Sequence, residues 1–123
     1  MSNNIPKGWK RVRLGEVAEI VGGGTPSTKI SDYWNGNIPW LTPKDLSNFN
    51  GVYVSHGKRY ISKLGLEKSS AKLLPKGTVL LTSRAPVGYL AIAKNELATN
   101  QGFRSLIVKD DYDNRFIYYL LKK

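Results

Sequence analysis

Apolar residues at Leu14, Val17, Ala18 and Val21 recur at i, i+3, i+4 and i+7, a spacing that predicts a short helix over 14–21. Gly22, Gly23 and Gly24 stop it. Residues 25–37 are dense in turn formers and predict a loop, followed by a short strand over 38–42. Thr42 then caps a helical turn that opens with Pro43 and reaches Leu46. The segment 52–61 predicts an irregular strand pair around a Ser55-His56-Gly57 turn. Ser62 is placed to cap a second helix running to about Leu73, and Pro75 to Gly77 forms a turn.

Beyond Gly77 the alternation changes to runs of aliphatic and β-branched residues. Segments 78–83, 88–93 and 103–108 predict strands buried on at least one face. Asp113 caps a last helix with an apolar stripe of Phe116, Ile117, Leu120 and Leu121. The fold class expected is α+β: a mixed, β-rich domain with a short N-terminal helix, a middle helix and a C-terminal helix. One domain over 1–123 is expected, since 123 residues of which 41% are hydrophobic furnish a single core.

Charge changes the picture. Nineteen Lys and Arg against nine Asp and Glu leave a formal net charge of +10, which surrounds the domain with a positive field and makes nucleic acid the leading partner class. The basic residues are spread along the chain, as suits a folded surface. No cysteine is present, which removes disulfides, thiolate metal sites and cysteine nucleophiles. The N-terminus lacks the apolar run of a signal peptide, and the longest apolar run, residues 89–93, is too short to span a bilayer. A cytoplasmic protein with no membrane partner is expected.

Catalytic chemistry finds little support. Gly22-Gly-Gly-Thr-Pro26 resembles a phosphate-cradling loop, yet no Gly-Lys-Ser/Thr follows it, and it is read here as following a helix. Its glycines, Gly23 and Gly24, remain candidates to bring backbone N–H groups to a phosphate. Asn37-Ile-Pro-Trp40 looks like the tetrapeptide with which amino-group methyltransferases hold a flipped base. Such an enzyme needs a doubly wound sheet with a glycine-rich turn ahead of it, and 36 residues leave no room for one. His56 stands alone and cannot build a zinc site without cysteine. The Asp…Glu-x-Lys signature of nucleases is absent. No enzyme, metal or cofactor is expected.

Seven segments together carry a resemblance. They are Trp9 with Leu14-Gly-Glu-Val-Ala-Glu-Ile20, Gly23-Gly-Thr-Pro-Ser27, Tyr33-Trp34, and Ile38-Pro-Trp-Leu-Thr42 with Lys44-Asp45. The remaining three are Leu74-Pro-Lys-Gly-Thr78, Thr82-Ser-Arg-Ala-Pro-Val-Gly88 and Thr99-Asn-Gln-Gly-Phe103. In this order the chain resembles the target recognition domain of specificity subunits of type I restriction-modification enzymes. The resemblance implies sequence-specific double-stranded DNA binding, in which one half of a bipartite target is recognised. It also implies two protein partners: a modification subunit that carries the methyltransferase chemistry and a restriction subunit that moves and cuts DNA. Relative to that family, the expectation is a single recognition domain over 1–123, without spacer helix or second recognition domain.

Within those motifs, side chains with directional donors and acceptors are the base-reading candidates: Arg84, Arg104, Asn100, Gln101, Thr42, Lys44, Asp45, Thr82 and Ser83. Lys29, Lys58 and Arg59 are assigned to phosphates along with Gly23 and Gly24, since loop cations position without specifying. Two other classes stay open: a basic single-stranded nucleic-acid binder stacking bases on Tyr33, Trp34, Trp40 and Tyr53, and a protein-interaction module regulating a restriction system.

Overall fold

The computed structural model describes residues 14–83, 88–110 and 112–122. In chain order the elements are α1 (Leu14–Val17), β1 (Ala18–Gly22), a 3-10 turn (Ser31–Tyr33), β2 (Trp34–Leu41), α2 (Pro43–Ser47), β3 (Tyr53–Val54), β4 (Arg59–Ile61), α3 (Lys63–Glu67), β5 (Val79–Leu81), β6 (Leu90–Ala93), β7 (Ala98–Thr99), β8 (Arg104–Val108) and α4 (Asn114–Lys122). They build a five-stranded sheet in the order β1-β8-β5-β6-β3 and a three-stranded sheet in the order β4-β2-β7. The α+β class expected from the sequence is the one observed.

The helix predicted over 14–21 is one turn long, and its second half is a strand. β1 pairs antiparallel with β8 from Ala18 opposite Val108 to Gly22 opposite Arg104. A helix of two turns has too few hydrogen bonds to offset its nucleation, whereas the ladder satisfies the same backbone and still buries Val21. Tertiary pairing therefore overrides a helical period. One consequence is that the glycine run follows a strand, contrary to the premise used against a phosphate loop. The missing Gly-Lys-Ser/Thr still excludes that motif.

The strand pair expected over 52–61 is also corrected. β3 joins β6 in parallel, Tyr53 opposite Ile92, and β4 pairs antiparallel with β2 in the other sheet. The Ser55-His56-Gly57 stretch thus crosses between sheets. Burial decides this: Val54 belongs to the cluster of Val21, Leu41, Leu80, Ala91 and Phe103, while Ile61 packs with Trp34, Trp40, Ala71 and Ala98. The first cluster draws residues from both sheets and joins them.

β2 begins four residues earlier than predicted. Its start carries a bulge between Trp34 and Ile38, so that both residues face Ile61. Asn35 at the bulge has φ 61°, a left-handed conformation that Asn tolerates better than most residues. A Cβ at Gly36 would lie 2.4 Å from Ser62 Cα, so only glycine fits there.

The capping expectations hold, with one change of length. Asp45 accepts the Thr42 N–H at 2.8 Å and closes the first turn of α2. Ser62 Oγ accepts the Gly65 N–H at 3.0 Å and donates to the Asp32 carbonyl at 2.6 Å, capping α3. That helix ends at Glu67 rather than near Leu73. Downstream, Ser69 Oγ accepts the Ala71 N–H, and Ala71 is buried in the tryptophan cluster, a docking that a continuing helix would prevent.

α4 starts where Asp113 Oδ1 accepts the Arg115 N–H at 2.9 Å, and it packs on β5 and β6. Its buried face is centred on Ile117 and Tyr118, with Phe116 and Leu121 at the sides. Leu120, expected in the stripe, is 55% exposed, and Tyr118 is fully buried. No helix among the described residues is long and apolar enough to cross a membrane.

Candidate nucleic-acid interface

The site is organised by the turn that links β7 to β8. Asn100 donates its backbone N–H to the Leu41 carbonyl at 2.9 Å, tying the turn to the end of β2. Asn100 Oδ1 accepts the Gly102 N–H at 2.8 Å and closes the turn on itself. Ser83 donates its N–H to the Gly102 carbonyl at 2.8 Å, and Thr82 bridges Phe103. A Cβ on Gly102 would approach Pro43 Cγ to 2.9 Å, so the start of α2 lies against the same turn. Three sequence-distant motifs, 41–45, 82–83 and 99–104, meet at this point.

Around it Lys44, Ser83, Gln101 and Arg104 are exposed. Gln101 Oε1 accepts the Thr25 hydroxyl, which links the glycine-rich loop to the turn and fixes the amide's orientation. Arg104 opens β8 opposite Gly22. Among the described residues neither Lys44 nor Arg104 pairs with a carboxylate, so both charges remain available.

Other candidates prove to be scaffold. Thr82 is corrected: it is buried, its Oγ1 accepts the Tyr89 N–H at 2.9 Å, and it cannot reach a base. Gly24 is corrected as well, because its N–H is spent on the Thr99 carbonyl at 3.0 Å and its surroundings exclude a Cβ. Gly23 sits against Thr99 and Asn100 in the same way, a packing glycine between β1 and β7. Asp45, Thr42 and Asn100, each partly exposed, spend hydrogen-bonding atoms on neighbours in the fold. Asp45 holds the Thr42 N–H and hydroxyl and, at 3.3 Å, the Lys58 N–H. Arg84 lies outside the described residues.

Asp45 connects this turn to a second basic group. Through its bond to the Lys58 N–H it holds the approach to β4, where Lys58 and Arg59 are exposed. Arg59 stands opposite Trp40 on β2, and its guanidinium lies 3.8 Å from the centroid of the Trp34 ring and 5.6 Å from that of Trp40. The two indoles meet edge to face at 5.0 Å. Both are buried, and their N–H groups donate to Ser27 and Gly24 carbonyls at 3.0 and 2.9 Å. Neither can stack on a base. Lys29, exposed, donates its N–H to Ser27 Oγ beside the same indole. Sequence reasoning missed two contributors, Thr25 and the bulge at Asn35 and Gly36; the Asn-Gly pair was the available signal for the latter.

Residues 6–123 match the family described as the type I restriction modification DNA specificity domain. The chain belongs to this family. It is 53% identical over 118 residues to the type I restriction enzyme MjaIX specificity subunit of Methanocaldococcus jannaschii, covering 96% of this chain and 27% of that protein. To the EcoR124I/EcoR124II specificity subunit of Escherichia coli it is 31% identical over 118 residues, covering 92% of this chain and 28% of the other. The HsdS subunit of Thermoanaerobacter tengcongensis, known from a crystal structure, superposes with a TM-score of 0.74 at 26% identity, over 96% of this chain and 28% of that one. The chain thus spans about a quarter of the length of the curated relatives it matches.

Proposed function

We propose that this domain reads one half of a split duplex DNA target for a type I restriction-modification complex and catalyses nothing itself. In this reading it works in the cytoplasm, a modification subunit supplies methyl transfer, and a restriction subunit supplies cleavage. The observation that carries the reading is the convergence of Lys44, Ser83, Gln101 and Arg104 on one hydrogen-bonded turn, in a chain of net charge +10 that belongs to a DNA specificity family.

The physical chemistry is that of direct readout. Arg104 and Lys44 suit guanine O6 and N7, Gln101 suits adenine N6 and N7, and Ser83 suits either partner of a pair. Each is presented by backbone already locked to its neighbours, so binding orders side chains without also ordering the backbone. Lys29 and Lys58 neutralise phosphates and set the register without specifying sequence. Of the four aromatic residues proposed to stack single-stranded bases, Trp34 and Trp40 are buried and hydrogen-bonded, which leaves Tyr53 exposed and Tyr33 partly buried.

Selection from a random duplex library, with and without a modification subunit, tests the proposal. Enrichment of one short double-stranded sequence is the expected result. Preference for single strands, or retention of a protein partner with no DNA preference, would refute it.

A further inference from the structure

We infer that Arg59 is a specificity-determining residue that reads a base edge, rather than one more cation resting on a phosphate. The inference rests on the DNA-reading function proposed above and names a second reading point, on β4, linked to the first through Asp45. Lys58 and Arg59 are adjacent and both exposed, but their circumstances differ. Among the described residues Lys58 is anchored through its backbone, on Asp45, and its ammonium is a point charge on a flexible stem. The Arg59 guanidinium carbon lies over an indole, 3.8 Å from the Trp34 centroid, and Trp40 adds a second ring at 5.6 Å.

Every layer beneath it is fixed. The left-handed Asn35 and the Cβ-excluding Gly36 make the bulge that returns Trp34 toward Trp40. Both indoles are then pinned by N–H bonds to Ser27 and Gly24 carbonyls. The guanidinium is held by a cation–π contact, which uses its charge and leaves its N–H donors unspent. Those donors lie in the guanidinium plane, and among the described residues none of them has an acceptor. A planar fork held on an aromatic platform with its donors unspent suits bidentate recognition of guanine. Phosphate also accepts a guanidinium fork, so the two roles are separated by whether Arg59 carries preference at one base position or affinity for every duplex.

The test compares Arg59→Lys and Arg59→Ala with the unaltered chain, using the library selection and a salt titration. Arg59→Lys keeps the charge and loses the fork. It should erase preference at one base position by about tenfold or more while leaving the salt dependence unchanged. Arg59→Ala should erase the same position. If Arg59→Lys selects the unaltered sequence, or if Arg59→Ala weakens all duplexes alike and lowers the log–log salt slope by about one, Arg59 is a phosphate contact and the inference fails. Circular dichroism of both variants separates these outcomes from unfolding. Should the unaltered chain select no sequence, the broader DNA-reading proposal fails first, so the two failures are distinguishable.

Discussion

Asn100 and Gln101 carry the same amide and are used differently. Asn100 spends its oxygen on the Gly102 N–H, so that it shapes the turn, while Gln101 projects to solvent with its amide oriented by Thr25. The same division separates Thr82, buried and bonded to Tyr89, from Ser83, exposed beside it. At this scale base readers and phosphate contacts make opposite predictions. Arg104→Ala should cost about 1 to 3 kcal/mol of discrimination at one base pair, whereas Lys58→Ala should weaken all duplexes alike. Titration of both variants against duplexes that each differ at one base pair checks this, and identical profiles would defeat the division of roles. Ser105 offers a stability test. Its hydroxyl is buried on β8 with no partner among the described residues. Leaving such a group unsatisfied costs about 1 to 3 kcal/mol. Ser105→Ala should therefore leave the denaturant midpoint unchanged or raise it, and a clear drop would reveal a hidden partner.

Among the elements, α2 is too short to be stable by propensity and depends on its cap. Asp45→Ala removes the acceptor for Thr42 and Lys58 together, with an expected loss of about 0.5 to 2 kcal/mol in chemical denaturation. Duplex affinity should fall too, because Lys44 and Lys58 both lose their support; a variant with normal affinity would uncouple the cap from the site. Caps were the most legible elements in the sequence. Thr42, Ser62 and Asp113 each act within three residues of themselves, and their chemistry needs no distant partner. Helix ends and strand partners were not legible in the same way. Residues 18–21 satisfied a helical period yet became β1, because β8 supplies a ladder from the far end of the chain.

For the molecule as a whole, the net charge of +10 and the exposed cations along two connected groups predict strong electrostatic binding. If roughly five phosphates are contacted, the log–log dependence of duplex affinity on salt should have a slope of about −4 to −5. A flat dependence in a salt titration would remove the electrostatic part of the proposed function. Family and class were readable at this scale, because seven short motifs in order survive without any knowledge of contacts, and the family match over 6–123 agrees with them.

From its residues alone the chain determined its charge, its capped helix starts, the strands β5, β6 and β8 and its family, all properties of local chemistry or of order along the chain. Tertiary structure decided which polar groups remain free. Thr82, Asp45 and Asn100, chosen as DNA contacts by type, each spend a hydrogen-bonding atom on a partner within the protein, while Arg59 gains a platform through a bulge that brings Trp34 back to Trp40. The physical reason is that a donor hydrogen or acceptor lone pair already bonded within the fold is withdrawn from a ligand. Whether a neighbour in the fold or a ligand uses it depends on contacts between residues far apart in sequence.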